Sequence, residues 1–511
     1  MPARTVPALL SEAVARYGER EALADGPVRM TYAGLAAEAH RVAGALVAHG
    51  VRPGDRVAVW APNTWRWVLA LLGIHAAGAV LVPVNTRFTA DEATDILRRS
   101  RARLVFAAEG FLGLDHVAMV GRVRPHLPDL RTVVACADAT RAPDALAWPR
   151  FLDAAGDARL PEVRPDDVAD VLFTSGTTGQ PKGAMSAHRQ SVDVARAWTA
   201  AAGVGPGDRY LIVNPFFHSF GYKAGIVACL AAGATIVPQA AFDPAETLRL
   251  AAAERITVLP GPPTIYQSIL DAPERPDLPA LRVAVTGAAS VPVRLVERMR
   301  EELAFRTVLT AYGLTEAVVV TMSRPDDDPR TIATTCGRPT AGFDVAICAP
   351  DGTEAPPGTD GEVRLRGPNV MLGYLDDPGA TAAAFDADGR LRTGDVGRLT
   401  PTGHLRITDR LKDMLTVGGF NVYPAEVEQV LARHDAVSEA AVVGVPDHRL
   451  GEVPKAYVVP RPGARPDPAD LITYCRAHLA NFKTPRTVEF LPALPRNAGG
   501  KVLKRELRGR T

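Results

Sequence analysis

The chain has little lysine. Only seven of its 58 basic residues are lysine, namely Lys182, Lys223, Lys412, Lys455, Lys483, Lys501 and Lys504; arginine supplies the rest of the positive charge of the 511 residues. A flexible single ammonium differs in chemistry from a guanidinium fork, so the scarce lysines are candidate sites. Surplus charge is lacking too: 58 basic against 57 acidic residues leave a formal net charge of +1. That balance, without a polybasic tail, excludes a nucleic-acid binder working by phosphate neutralisation. Cysteines number five, are scattered, and form no CxxC pair. A disulfide scaffold and a structural zinc site are thereby excluded, and a cytoplasmic location is expected. Long apolar runs are missing. The most membrane-like stretch, residues 67–84, is interrupted by Gly73, His75, Gly78 and Pro83, which predicts a buried helix followed by a buried strand and no integral membrane association. Residues 1–20 have no apolar core of the signal-peptide kind. What is present, 47% hydrophobic and 23% charged residues, suits a folded globular protein of more than one domain.

Short β-branched runs alternate with alanine- and leucine-rich helical patterns. Residues 56–60, 79–84, 210–213, 234–237, 257–259 and 281–285 read as strands, and 65–77 and 90–100 as helices. The alternation predicts an α/β architecture with largely parallel sheets covered on both faces. From Arg338 the texture changes to strands between Gly/Pro/Asp turns, at 343–348, 361–366 and 403–408, which predicts a small β-barrel-like subdomain. A second α/β pattern follows residue 410. The expected organisation is an N-terminal part, 1–409, of two α/β subdomains plus the β-rich one, and a small α+β C-terminal domain, 410–511.

The strongest local signal runs from Val171 to Met185, VLFTSGTTGQPKGAM. An apolar strand enters a loop of small hydroxyl residues and glycines closed by a lysine. Gly176, Gly179 and Gly183 allow close approach of an anion. The hydroxyls of Thr174, Ser175, Thr177 and Thr178 can donate to phosphate oxygens, and Lys182 adds a point charge. A Walker A loop is excluded, because Pro181 precedes the lysine and Gly183 follows it.

This loop resembles the phosphate loop of the adenylate-forming superfamily, which includes acyl-CoA synthetases and adenylation domains. Four further segments resemble that family's motifs, in its order. They are Ala311-Tyr-Gly-Leu-Thr-Glu316, Gly394-Asp395, Asp409-Arg-Leu-Lys-Asp413 and Pro495-Arg-Asn-Ala-Gly-Gly-Lys501. The resemblance runs from about Leu9 to Arg508. It implies ATP, Mg²⁺ and coenzyme A as ligands and a small carboxylic acid as substrate, with a homodimer left open. Tyr312 would face adenine beside Ala311, Gly287 and Ala288. Thr315 would meet the α-phosphate and Glu316 would hold the metal, although a helix start would account for these two residues equally well. Asp395 and Arg410 would hold the ribose, Lys412 would be the hinge, and Lys501 the catalytic lysine bridging carboxylate and α-phosphate. A mobile C-terminal domain would later bring Gly418, Gly419 and Phe420 to a thiol channel.

The implied reaction joins a carboxylate to AMP with loss of pyrophosphate, then passes the acyl group to a thiol, normally that of CoA. The alternative acceptor is a carrier protein or another nucleophile of specialised biosynthesis. Residues 214–225, NPFFHSFGYKAG, resemble the motif at the acyl end of the pocket. There His218 would gate the carboxylate, or pack as a core histidine. Phe220, Tyr222 and Lys223 would lie nearby, Lys223 meeting a polar substrate group or forming a structural ion pair. Within the family the chain resembles actinobacterial ligases of steroid-ring catabolism, which activate a propanoate on a bicyclic indanedione. It departs from them at Val318, Val319 and Val320, where a glycine-containing run is expected. If those valines line the pocket they would crowd it, favouring a medium-chain, aryl or small cyclic acid; alternatively they pack away from it as a core strand.

Overall fold

A computed structural model of the chain describes residues 2–156, 159–174, 181–287, 291, 293–411, 413–417, 420–447, 450–479, 481–496 and 502–510, without the side chains of residues 416, 420 and 421. Four sheets organise it. In one eight-stranded sheet, Arg56–Trp60, Val80–Pro83, Leu104–Ala107, Thr132–Ala135 and Val168–Thr174 run parallel, and the hairpin partner Lys182–Ala187 turns back antiparallel. In a nine-stranded sheet, Arg209–Ile212, Thr235–Pro238, Val258–Pro260, Val283–Gly287 and Thr307–Tyr312 are parallel.

These strands are apolar at nearly every position because both their faces are covered. Side chains alternate across the pleat into two different cores. Val57, Val59, Leu81 and Phe106 point into the same core as Tyr210, Ile212, Ile236, Val283 and Leu309. Their neighbours Ala58, Trp60, Val82 and Val105 face a second core. Leu211, Val237, Leu259, Ala284 and Val308 face a third. The first cluster is therefore shared by the two large sheets and welds them together. Helices Tyr32–Ala48 and Trp65–Ala76 contribute to it. They meet where a Cβ on Gly73 would lie 2.4 Å from Val42 Cγ1, so this glycine allows a close helix crossing and does not break the helix.

The strand-rich stretch after residue 338 is a four-stranded antiparallel sheet, Asp344–Cys348, Gly361–Arg366, Leu391–Leu399 and Leu405–Arg410. Beyond it lies a five-stranded sheet with helices Pro424–Leu431 and Pro468–His478. All four sheets fit the expected α/β class, though the two large ones are mixed at their edges. The N-terminal hairpin Glu21–Asp25 and Val28–Thr31 completes the nine-stranded sheet. No helix among the described residues is long and apolar enough to cross a membrane. The five cysteines are free, and burial pushes the Cys136 thiol up to about 12, far from its thiolate form at neutral pH.

The shared core also buries histidines. His188 begins the helix His188–Ala202, and its Nδ1 accepts from the Val6 backbone N–H at 3.5 Å. Burial lowers its pKa to about 4. In the unfolded chain a histidine takes its proton near pH 6.5. Between these values the unfolded state binds the extra proton, so stability is full above pH 6.5 and falls as the pH drops toward 4. The loss should approach about 3 kcal/mol for this group. Thermal melting from pH 7 to pH 4 should show it, and His188→Asn, which keeps an acceptor for Val6, should flatten the curve. An equally steep curve in the variant would refute the assignment.

Candidate active site

The candidate residues stand at the carboxyl ends of parallel strands, the ends at which open α/β sheets bind their ligands. Val283–Gly287 ends on Gly287 and Thr307–Tyr312 on Ala311 and Tyr312. Gly287 pairs with Ala311 across the sheet, and a Cβ on Gly287 would stand 2.3 Å from the Ala311 carbonyl oxygen. Arg209–Ile212 leads into the turn that carries His218, and Val168–Thr174 leads into residues 175–180.

Tyr312 donates its hydroxyl to Asp395 Oδ2 at 2.6 Å. Arg410 Nε pairs with the other carboxylate oxygen at 3.0 Å. Asp395 and Arg410 face each other on neighbouring antiparallel strands, and the Asp395 backbone N–H donates to Thr393 Oγ1 at 3.0 Å. The carboxylate is thus oriented from both sides although it is only 4% exposed. Burial, followed by the neighbouring Asp395 charge, raises the Tyr312 pKa, so its hydroxyl stays a donor.

Residues 313–318 form a compact turn. The Val318 backbone N–H donates to the Leu314 carbonyl at 2.6 Å, and Val320 N–H to the Tyr312 carbonyl at 2.9 Å. A Cβ on Gly313 would fall 1.7 Å from the Val318 carbonyl oxygen, so only glycine fits. The turn leaves Thr315 and Glu316 half-buried on a loop, where a helix start had been the competing reading. Val318 itself adopts φ +61°, a rare conformation for a β-branched residue.

Tyr374 was not legible in the sequence. Its hydroxyl donates to Glu316 Oε1 at 2.9 Å, and Lys182 Nζ lies 5.2 Å from the centre of its ring. The strand Gly373–Tyr374 pairs with Lys182–Ala187 and so brings the aromatic between the two. No motif spacing announces it, because the contact is created by sheet pairing nearly two hundred residues apart. Thr174 pairs with Lys182 across the hairpin, and its Oγ1 reaches the Lys182 carbonyl at 3.5 Å. Gly183 corrects the expectation of an anion-facing glycine. It is buried in the strand, where a Cβ would lie 2.8 Å from Val171 Cγ1, so it serves packing.

His218 is exposed, yet protein surrounds it closely enough for desolvation to lower its pKa. It is therefore not packed in the core. Its Nδ1 accepts from the Phe220 N–H at 3.2 Å, which leaves Nε2 to donate in the neutral ring. Phe220 is half-buried and stacks edge-on against Trp198 at 5.5 Å. Tyr222 corrects the expectation that it faces the acyl pocket, and of the two readings of Lys223 the structural ion pair is the one found. Both are fully buried, and Lys223 Nζ pairs with Asp170 Oδ1 at 3.0 Å. The valine run is also buried. Val318 and Val319 join the core shared by the large sheets, and Val320 joins the core beneath the antiparallel sheet. Ser175, Gly176, Thr177, Thr178, Gly179, Ala288, Lys412, Gly418, Gly419 and Lys501 lie outside the described residues, as does the Phe420 side chain.

No group of three or more His, Cys, Asp or Glu able to hold a metal occurs among the described residues. Glu316, with one oxygen taken by Tyr374, fits an ion carried in mainly by phosphates and water, the habit of Mg²⁺.

Comparison with known proteins agrees with this geometry. Residues 10–375 match the model of the AMP-binding enzyme family, and residues 426–501 that of the AMP-binding enzyme C-terminal domain. The chain is 58% identical to a 3-[(3aS,4S,7aS)-7a-methyl-1,5-dioxo-octahydro-1H-inden-4-yl]propanoyl:CoA ligase of Mycobacterium tuberculosis, over 99% of this chain and 98% of the relative. It is 55% identical to the ligase of the same name in Rhodococcus jostii, with the same coverage. Among solved structures, the anthranilate CoA ligase AuaEII in complex with anthranoyl-AMP superposes with a TM-score of 0.90 at 27% identity, covering 99% of this chain and 97% of that one. The chain belongs to the AMP-binding, adenylate-forming enzymes and is an acid–thiol ligase of their acyl-CoA synthetase branch, with ATP and CoA as substrates.

Proposed function

We propose that the acid activated by this chain is a propanoate borne on a saturated bicyclic diketone, the acid named for its two actinobacterial relatives. The observation that carries this is 58% and 55% identity over 99% of the chain. The steric objection drawn from the valine run loses its ground, since Val320 is fully buried and Val318 and Val319 nearly so. One observation still favours a flatter aryl acid. Val318 holds a strained backbone where glycine would be at ease, and its half-turn follows directly on Glu316.

In this reading the carboxylate oxygen attacks the α-phosphorus of ATP and pyrophosphate leaves. The thiol sulfur of CoA then attacks the acyl carbon, and AMP leaves with the bonding electron pair. Asp395 accepts from the ribose hydroxyls, held for that task by Tyr312 and Arg410. The same hydrogen bond fixes the Tyr312 ring as a face for adenine. Thr315 meets the α-phosphate, and Lys182 meets the phosphates from the end of its hairpin. Neutral His218 donates from Nε2 to the acid's carboxylate and orients it without binding it as an ion pair. Mg²⁺ at Glu316 would neutralise charge on the leaving pyrophosphate. Lys501 bridges carboxylate and α-phosphate in the first step only, and a boundary near residue 410 with Lys412 as pivot lets the C-terminal domain take it away before the second. Positioning and charge stabilisation are the whole of the protein's contribution.

Pyrophosphate release should be fastest with the bicyclic propanoate in a panel that includes C6 to C12 fatty acids, cinnamates and benzoates, and thioester should form only when CoA is added. Cinnamates or benzoates outpacing the bicyclic acid would establish the flatter substrate instead, and Val318→Gly should then shift preference toward the bulkier acid. Asp395→Asn should raise the KM for ATP roughly tenfold, the loss of a charge-assisted hydrogen bond. An unchanged KM would remove Asp395 from the ribose site. Lys501→Ala should abolish adenylate formation and largely spare thioester formation from supplied acyl-adenylate. Equal loss of both steps would sink that assignment.

A further inference from the structure

Four elements meet around one ion pair inside the shared core. Asp170 sits in the strand Val168–Thr174, and Lys223 in the π-helical turn Tyr222–Val227. Both are fully buried, with Lys223 Nζ 3.0 Å from Asp170 Oδ1. Asp170 Oδ2 accepts from Ser191 Oγ and from the Tyr222 hydroxyl, each at 3.3 Å. The Tyr222 oxygen also lies 3.1 Å from His75 Nε2, and the His75 ring meets His188 edge-on at 4.8 Å. Burial lowers both histidines, so neither adds a charge at neutral pH. Burial also raises Asp170 and lowers Lys223, each held back by its partner's charge.

Such a pair is poor evidence for stability. Desolvating two ions costs about as much as their attraction returns, and apolar replacement is often neutral. The π-helical turn is a second irregularity at the same point, of a kind that clusters at functional sites. Both elements lead directly to the candidate site. Four residues beyond Asp170, Thr174 opens the loop toward Lys182. Five residues before Lys223 stands His218. The intervening turn is stiff. Tyr222 N–H donates to the His218 carbonyl at 3.0 Å, and His218 N–H to the Pro215 carbonyl at 3.0 Å. A Cβ on Gly221 would lie 2.3 Å from the Pro215 carbonyl oxygen, so the chain there has no slack. A shift of Lys223 is therefore carried to His218.

We propose that Asp170 and Lys223 form a positioning pair for adenylation: they lock the turn that presents the acid to the strand that presents the nucleotide, so that carboxylate and α-phosphorus are aligned. The proposal rests on the assignment of Lys182 to ATP and His218 to the acid. It also explains why a lysine, rare in this chain, is placed where no solvent or ligand reaches it. One ammonium on an unbranched stem fits between two packed elements that an arginine fork would pry apart.

The test is Asp170→Asn combined with Lys223→Met in the full chain. Asparagine keeps an acceptor for Ser191 and Tyr222, and methionine fills the lysine stem. The bicyclic propanoate serves as acid. The variant should melt cooperatively near the parent temperature. Its single-turnover pyrophosphate release should fall about 100-fold, the scale of a 1 Å misplacement, with little change in either KM. Thioester formation from supplied acyl-adenylate and CoA should stay within about threefold. A variant with undiminished pyrophosphate release, or with both half-reactions reduced alike, overturns the proposal. Should the double variant fail to fold, Asp170→Glu keeps the charge but lengthens the link; it should slow adenylation selectively, and adenylation at the parent rate overturns the proposal. Lys182→Ala and His218→Ala run in parallel separate the layers. If neither raises the KM of its own substrate, the site assignment has failed and the proposal falls with it. If both do while Asp170→Asn/Lys223→Met is silent, only the positioning role has failed.

Discussion

The hydrogen bond from Tyr312 to Asp395 is the contact on which the site depends. Tyr312 ends a strand of the nine-stranded sheet, while Asp395 and Arg410 stand on two strands of the antiparallel sheet. Backbone hydrogen bonds also join the two sheets, Cys336 N–H to the Leu405 carbonyl at 2.7 Å and Leu405 N–H to the Gly337 carbonyl at 2.8 Å, but the Tyr312 bond is the one made by side chains of the candidate site. With it, an aromatic face, a carboxylate and a guanidinium are held at one point, ahead of any ligand. Asp395 is buried, so its charge is tolerable only because a hydroxyl and a guanidinium meet its two oxygens. The contacts that orient the carboxylate are the contacts that make its buried charge tolerable.

Much of the fold was legible because burial on both faces leaves a plain mark. Apolar runs within the segments read as strands lie in the large sheets, Arg56–Trp60 as read and the 281–285 segment shifted to Val283–Gly287, and the interposed periodic segments are helices. The edges were less legible. The hairpin Glu21–Asp25 and Val28–Thr31 has a partly exposed second strand and too few residues for alternation to stand out. The pairing of Lys182–Ala187 with Gly373–Tyr374 depends on tertiary contact, which a local pattern cannot carry.

The site was legible to the same degree and for related reasons. Residues that act through spacing within one loop, such as Thr174 and Lys182 or Tyr312 and Glu316, are read along the chain. Tyr374 acts through a strand pairing and left no sequence signal. Gly183 shows the opposite failure: it stands inside a motif and was read by the motif's chemistry, but it fills a tight contact between strands. Lys223 stands inside a motif too, and of its two readings the structural ion pair is the one found, with Asp170. A glycine or a lysine within a binding motif does not by that fact touch the ligand. The local backbone decides it: strand alternation, which needs a known register, for Gly183, and the π-helical turn for Lys223.

The scarcity of lysine gains a physical meaning from these placements. Lys455 pairs with Glu489 and Lys483 with Glu426, both half-exposed pairs of small consequence for stability. Lys504 differs. It pairs with Glu428 at 2.8 Å and keeps its proton more tightly despite desolvation because of the charges of Glu428, Asp409 and Asp413. Asp409 also accepts from the Ala425 N–H at the start of the helix Pro424–Leu431. Lysine thus recurs at the places where carboxylates are gathered away from water: Asp170 in the shared core and Asp409 beside the junction of the two domains. Arginine cannot replace it at such points without more room and more acceptors for its five donors. The rarity is a consequence of packing as much as of chemistry, since the positions that require a single narrow cation are few in any fold.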